Sequence, residues 1–251
     1  MERSGQVAIV VGGTGALGAA IAERLAAEGA DVGFSYHSNA LKAAALEERI
    51  TAAGRRCHSA KVALDDAEAV ATFTEDVVAN YGGLDTLVYA AGPAFELDFI
   101  AKVSPLDWNR VIDADLKGCF NAVHGALPHL RARAGSIVAV TAAGVDRAIA
   151  RDILSLAPKA AITALMRGIA LEEGRNGVRA NCVAPGYIAG GIGQAIMDAV
   201  GKDTAAALVK AVPLRRMGTC DEIADAVAYL SSARASYITG NTLFVSGGME
   251  L

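Results

Sequence analysis

Seven short apolar runs, separated by longer stretches of helical periodicity, recur from one end of this 251-residue chain to the other. They are QVAIVV (6–11), DVGFSY (31–36), RCHSAKV (56–62), DTLVYA (85–90), SIVAVT (136–141), VRANCVA (178–184) and TLFVS (242–246). The stretches between them, such as LGAAIAERLAAEGA (17–30), ALKAAALEERITAAG (40–54) and DEIADAVAYLSSA (221–233), are each long enough to carry the chain back across a sheet. This alternation predicts an α/β fold with a doubly wound, seven-stranded parallel sheet, in one domain spanning 1–251. One segment breaks the rhythm. Residues 186–218, with paired glycines and short amphipathic pieces, suit a mobile cover over a substrate cleft.

Composition narrows the function. A formal net charge of −4 with mixed signs offers no basic stripe to nucleic acid, and no uninterrupted apolar run approaches the ~20 residues of a membrane span. The start, MERSGQVAIVVGG, enters a strand without a secretory pattern, so a cytoplasmic protein is expected. Four scattered cysteines, Cys57, Cys119, Cys182 and Cys220, suit reduced thiols, and His124 and His129 fall on different helix faces, so no metal site is expected. A 53% hydrophobic content must be buried in the core or between subunits.

Directly after the first strand comes GGTGALG (12–18), followed at once by a helix. Glycines at such a turn let a pyrophosphate approach the backbone, and the helix N-terminus offers unpaired N–H groups. With this block go LVYAAG (87–92), GSIVAVTAAG (135–144), Lys159, VRANCVAPGYI (178–188) and PLRRMGTCDEIADAVAYLSSARASYITGNTLFVSGG (213–248). Together they resemble the short-chain dehydrogenase/reductase family over nearly the whole chain. The resemblance implies a Rossmann-type fold with strand order 3-2-1-4-5-6-7, and a homotetramer built on two long helices and the last strand. It implies a small-molecule substrate and a nicotinamide dinucleotide held by Gly12, Gly13, Thr14, Gly15, Leu17, Gly18, Tyr36, His37, Ser38, Leu64, Ala90, Ala91, Gly92, Lys159, Pro185, Gly186 and Ile188. No carboxylate stands at the end of the second strand, where Ser35, Tyr36, His37, Ser38 and Asn39 are neutral or weakly basic. NADP is therefore expected, with NAD possible.

The chemical end departs from the family. A tyrosine and a lysine four residues later share a helix face there, the lysine lowering the phenol's pKa. Lys159 matches the lysine, but the tyrosine falls at Ser155, the substrate-orienting serine at Thr141, and an asparagine at Asp115. An alkyl hydroxyl ionises far above a phenol's ~10 and cannot simply replace it as general acid. Ser155 is read as the N-cap of the helix that SLAPK opens, with Pro158 in its first turn, or as a substrate contact. Ala16, Ala63, Tyr89, Ala90 and Gly190 are further departures around the cofactor. The chain is nearest in style to 3-oxoacyl-carrier-protein reductases and to 2,4-dienoyl-CoA reductases, a branch that keeps the lysine without the tyrosine. An aspartate such as Asp115 could there orient a proton-donating water, and Tyr89 and Tyr187 are the other phenols to weigh. Arg147 and Arg151 are either solvated loop charges or contacts to an anionic substrate.

The expected function is an NAD(P)H-dependent reductase of a ketone or a conjugated enoyl group, with Lys159, Thr141, Ser155 and Asp115 as the catalytic set. The alternative is a cofactor-binding relative without redox turnover, serving as a regulatory or partner subunit, or a non-redox enzyme on the same fold.

Overall fold

The computed structural model describes residues 2–251. Runs that are apolar on both sides belong in the middle of a parallel sheet covered by helices on both faces. All seven apolar runs become strands: β1 (Val7–Val11), β2 (Asp31–Tyr36), β3 (Cys57–Lys61), β4 (Thr86–Tyr89), β5 (Ser136–Val140), β6 (Arg179–Pro185) and a last strand at Thr242–Val245. They pair in parallel in the order β3-β2-β1-β4-β5-β6-last, as the resemblance implied. The order reverses between β1 and β4, and that switch point opens a crevice at the strands' carboxyl ends.

Alternation persists within the strands. Ala8 and Val10 face one layer with α1 (Ala16–Ala27), α2 (Ala40–Ala52) and a late helix at Cys220–Ser231; Val7, Ile9 and Val11 face the other. That second layer holds α3 (Ala67–Tyr81), α4 (Pro105–Val111), a π-helical turn at Ile112–Lys117, α5 (Gly118–Arg133) and α6 (Ile153–Glu173). Ile162, Met166 and Ile169 of α6 reach the core beneath β5 and β6. Helix α6 with the turn after it, Ile153–Asn176, is the one stretch among the described residues that is long and apolar enough, by length and composition, to cross a membrane. Here its apolar side packs on the sheet, and it also buries Lys159, Thr163 and Glu173.

The segment 186–218 forms β7 (Ile188–Ala189), α7 (Gly191–Ala199), α8 (Lys202–Ala211) and β8 (Gly218–Thr219), with β7 and β8 paired. The late helix is thus α9 and the last strand β9. The capping box between Thr219 and Glu222 opens α9. The four cysteines are free thiols, and no metal-ligating cluster occurs among the described residues.

One expectation about α6 fails. The helix begins two residues ahead of Ser155, with Asp152 at the N-cap position, so Ser155 lies inside the first turn and does not cap it. Pro158 is then the sixth helical residue. Its missing N–H is the one that would have reached the Leu154 carbonyl, a loss borne by a helix anchored along its buried side.

Candidate active site

A cavity of about 830 Å³ opens at the carboxyl ends of β1, β4, β5 and β6. Its floor is the glycine turn. Gly12 takes a left-handed φ of +88°, and a Cβ there would lie 2.9 Å from the Ala91 Cα of the neighbouring strand end. Gly18 lies on α1 so close to the turn that a Cβ would stand 2.2 Å from the Gly12 carbonyl oxygen. Helix α1 has Gly15 as its N-cap, no side-chain cap and no acid in its first turn. Its leading N–H groups are therefore left to water or to an anion, and the backbone is bare enough for a pyrophosphate to approach. On these observations the site fits a dinucleotide.

At the end of β2, Tyr36 and His37 line the cavity, whereas Ser38 is not part of its lining. Ser35 is buried, and its Oγ accepts a hydrogen bond from the Gly12 N–H at 3.3 Å, so it props the turn from below. Asn39 caps α2 by accepting the Lys42 N–H at 2.9 Å.

At the chemical end, Lys159 is held on two sides. Its Nζ donates to Asp115 Oδ1 at 2.9 Å and to the Ala91 carbonyl at 3.0 Å, leaving the third N–H for the cavity. Asp115 is 2% exposed and projects from the π-helical turn, a geometry that recurs at functional sites. The Asp115 backbone carbonyl accepts from the Tyr89 hydroxyl at 2.8 Å. Thr141 lies on the wall, its hydroxyl 3.3 Å from the Val183 carbonyl, and Ser155 lies one helical turn before Lys159.

The cavity gathers Lys159, Thr141, Ser155 and Asp115 with Gly12, Thr14, Gly15, Leu17, Tyr36, His37, Leu64, Ala90, Ala91, Gly92, Pro185, Gly186 and Ile188. Gly13 and Gly18 are not on its surface. Gly13 packs under Phe34, where a Cβ would approach within 2.6 Å of the ring, and both act by shaping the turn. Arg147 and Arg151 also lie outside it. Arg147 donates to the carbonyls of Met249 and Leu251, and Arg151 donates to the Leu97 carbonyl and covers the Phe99 ring. They tie loops together. The wall extends well beyond the expected set, and two of the added residues, Tyr187 and Asp152, bear on proton supply. Nothing local singles out Asp152, because an acid ahead of an apolar helix is the ordinary capping pattern.

Residues 12–250 match a family model described as enoyl-(acyl carrier protein) reductase. A 3-oxoacyl-[acyl-carrier-protein] reductase of Staphylococcus aureus is 34% identical over 97% of this chain and 98% of its own. The chain belongs to the short-chain dehydrogenase/reductase family. Solved structures of that family agree: one from Serratia marcescens at 31% identity and a TM-score of 0.92, and one from Burkholderia cenocepacia in complex with NADP at 30% and 0.93, each covering both chains fully. This chain is accordingly an NAD(P)H-dependent oxidoreductase, and its departures from the family pattern can be read in space.

Some of the departures touch one another. Ala16 adds a methyl at the start of α1, and it is met by Gly190 and Gly191, whose own Cβ atoms would lie 3.6 and 3.1 Å from it. The methyl thus fills room that a side chain at 191 would need and lies in ordinary contact with position 190. Tyr89 and Asp115 form the second pair, since the phenol bonds the carbonyl of the turn that carries the carboxylate. Burial, then the Asp115 charge, push the Tyr89 phenol well above its usual range. Tyr89 also lies beneath the cavity wall, so it is removed as a proton donor.

Proposed function

We propose that this chain is an NADP(H)-dependent reductase of a ketone or conjugated enoyl group on a largely apolar small molecule. The observation that carries the proposal is the Lys159 ammonium, fixed by Asp115 and Ala91 with one N–H toward the cavity. That N–H would hold the nicotinamide ribose. The glycine turn and the head of α1 would hold the pyrophosphate, Tyr36 and His37 the 2′-phosphate, Leu64 with Ala90–Gly92 the adenosine side, and Pro185, Gly186 and Ile188 the carboxamide. When bound, the reduced nicotinamide would supply hydride.

Support for an apolar substrate comes from the remaining wall, where Phe95, Ile149, Leu154, Ile192, Ile196 and Met249 stand together. Thr141 would orient the reacting oxygen, and Asp115 would position Lys159. Residues 186–218 would act as the cover, with α7 supplying Ile192 and Ile196. The protein would act in the cytoplasm as a homotetramer.

Calorimetric titration with NADPH and NADH, followed by NADPH oxidation with activated ketones and conjugated enoyl thioesters, tests the proposal. Tighter binding of NADPH and turnover of at least one class are expected. The absence of a phenol at 155 favours one other reading, a binding protein without redox turnover; tight NADPH binding with no oxidation across the panel would establish it in place of ours.

A further inference from the structure

We propose that Asp152 is the general acid of this enzyme, delivering to the substrate the proton that a tyrosine supplies elsewhere in the family. The inference rests on the reductase function proposed above.

Asp152 stands immediately before α6, seven residues and therefore about two turns ahead of Lys159 on the same side of the helix. It lines the same cavity as Ser155, Lys159 and Thr141. An aspartate at an N-cap ordinarily accepts a backbone N–H from the first turn. Here the side chain makes no capping bond, and the Ser155 and Leu156 N–H groups reach the Asp152 backbone carbonyl instead, at 3.0 and 2.9 Å. The residue is 8% exposed, and its Oδ1 is the only buried side-chain oxygen or nitrogen without a hydrogen-bond partner among the described residues.

A carboxylate so placed lacks what would keep it charged. Tyr187 faces it from the loop after β6, while Arg147 and Arg151 lie on the loop leading into α6, and none of them forms an ion pair or hydrogen bond with it. Both guanidiniums are engaged with backbone carbonyls elsewhere. Deeper in the cavity, Lys159 and Asp115 pair with each other, and Arg110 is directed to the Ala94 carbonyl. An unpaired buried charge is costly, and a protonated carboxyl far less so. Burial accordingly raises the Asp152 carboxyl to about 6, close to where a general acid works best at neutral pH. Burial and the Asp152 charge both raise the Tyr187 phenol, which makes it the poorer donor.

In a ketone reduction, the bound nicotinamide would supply hydride to the carbonyl carbon, and the C=O electron pair would pass to the oxygen. That oxygen takes the proton from the Asp152 carboxyl, forming the alcohol O–H and leaving a carboxylate, which water reprotonates. With a conjugated enoyl substrate the same proton goes to the α-carbon of the enolate.

Two measurements on the full-length protein test this, using Asp152→Asn, which keeps shape but cannot act as an acid, and Tyr187→Phe. The first needs no turnover: infrared difference spectra between pH 4.5 and 8 should contain a protonated-carboxyl band, midpoint near 6, absent from Asp152→Asn. The second is the pH profile of kcat with NADPH. Wild-type activity should fall about tenfold per pH unit above the Asp152 midpoint, and Asp152→Asn should lose about 10²- to 10⁴-fold in kcat with nucleotide affinity within about twofold. A band already ionised at pH 4.5, or Asp152→Asn turning over like wild type while Tyr187→Phe does not, would overturn the assignment alone. No turnover by wild type would overturn the reductase function, and the donor role with it, whatever the spectrum shows.

Discussion

Removal of the carboxylate beside Lys159, by Asp115→Ala, should damage stability and nucleotide binding together. The two groups meet at 2.9 Å with side chains only 11% and 3% exposed. Taking one partner from such a pair strands the other charge, at a cost of about 3–5 kcal/mol. Lys159 keeps the Ala91 carbonyl at 3.0 Å and borders the cavity, so the lower figure applies, about 3 kcal/mol. In a chain of this size that lowers Tm by about 6–12 °C. Lys159→Met should cost more, because the stranded carboxylate lies deeper. The double variant should fall short of the sum of the singles by about 1–3 kcal/mol. If Asp115 only oriented a water, NADPH affinity would survive its loss; the ion pair implies that a freed Lys159 weakens it, by about tenfold or 1.4 kcal/mol. Urea and thermal unfolding of the four proteins, with calorimetric NADPH titration, give every quantity. Single-variant losses under about 1 kcal/mol that add within about 0.5 kcal/mol would refute the coupling.

Ser155→Tyr places a phenol one helical turn before the Lys159 ammonium on the cavity wall, so ketone reduction should rise at least about tenfold at neutral pH; no gain with NADPH still bound would mean that position 155 does not face the reacting centre. The protein should scatter light as a tetramer at micromolar concentration, because Leu106 on α4, Phe120 on α5 and Leu171 on α6 are 78%, 53% and 85% exposed on the outer helical layer. Phe120→Glu should lower that mass, and a monomeric wild type would contradict the expectation. Glu173 receives two hydrogen bonds from Arg131 and one from Asn176, which hold its carboxyl down at about 2. Its contribution is therefore fully present above the ordinary glutamate value of 4.5 and is lost as pH falls from there to about 2. Glu173→Gln should show a smaller loss of Tm across that window than wild type, and equal losses would rule the pair out as an acid-sensitive contact.

The strands and the glycine turn were legible in the chain because their causes are local. A run such as VAIVV can be satisfied only between two helical layers, and GGTGALG between a strand and a helix has few other uses. Lys159 could likewise be singled out, as a cation in an apolar helix needs a partner. Which partner it has was decided by the π-helical turn that carries Asp115 inward, and by the Tyr89 hydroxyl that satisfies the turn's carbonyl 26 residues away in sequence. The same holds for Arg147 and Arg151, whose carbonyl partners lie about 100 and 54 residues away. The N-cap of α6 falls three residues ahead of the expected Ser155 because SLAPK and RDILS both offer capping residues, and periodicity does not choose between them. Asp152 has a capping residue's sequence context without its hydrogen bond. Only the packing of β6, the Tyr187 loop and α6 around it leaves its carboxyl buried and unpaired, since desolvation depends on what the rest of the chain brings close in space.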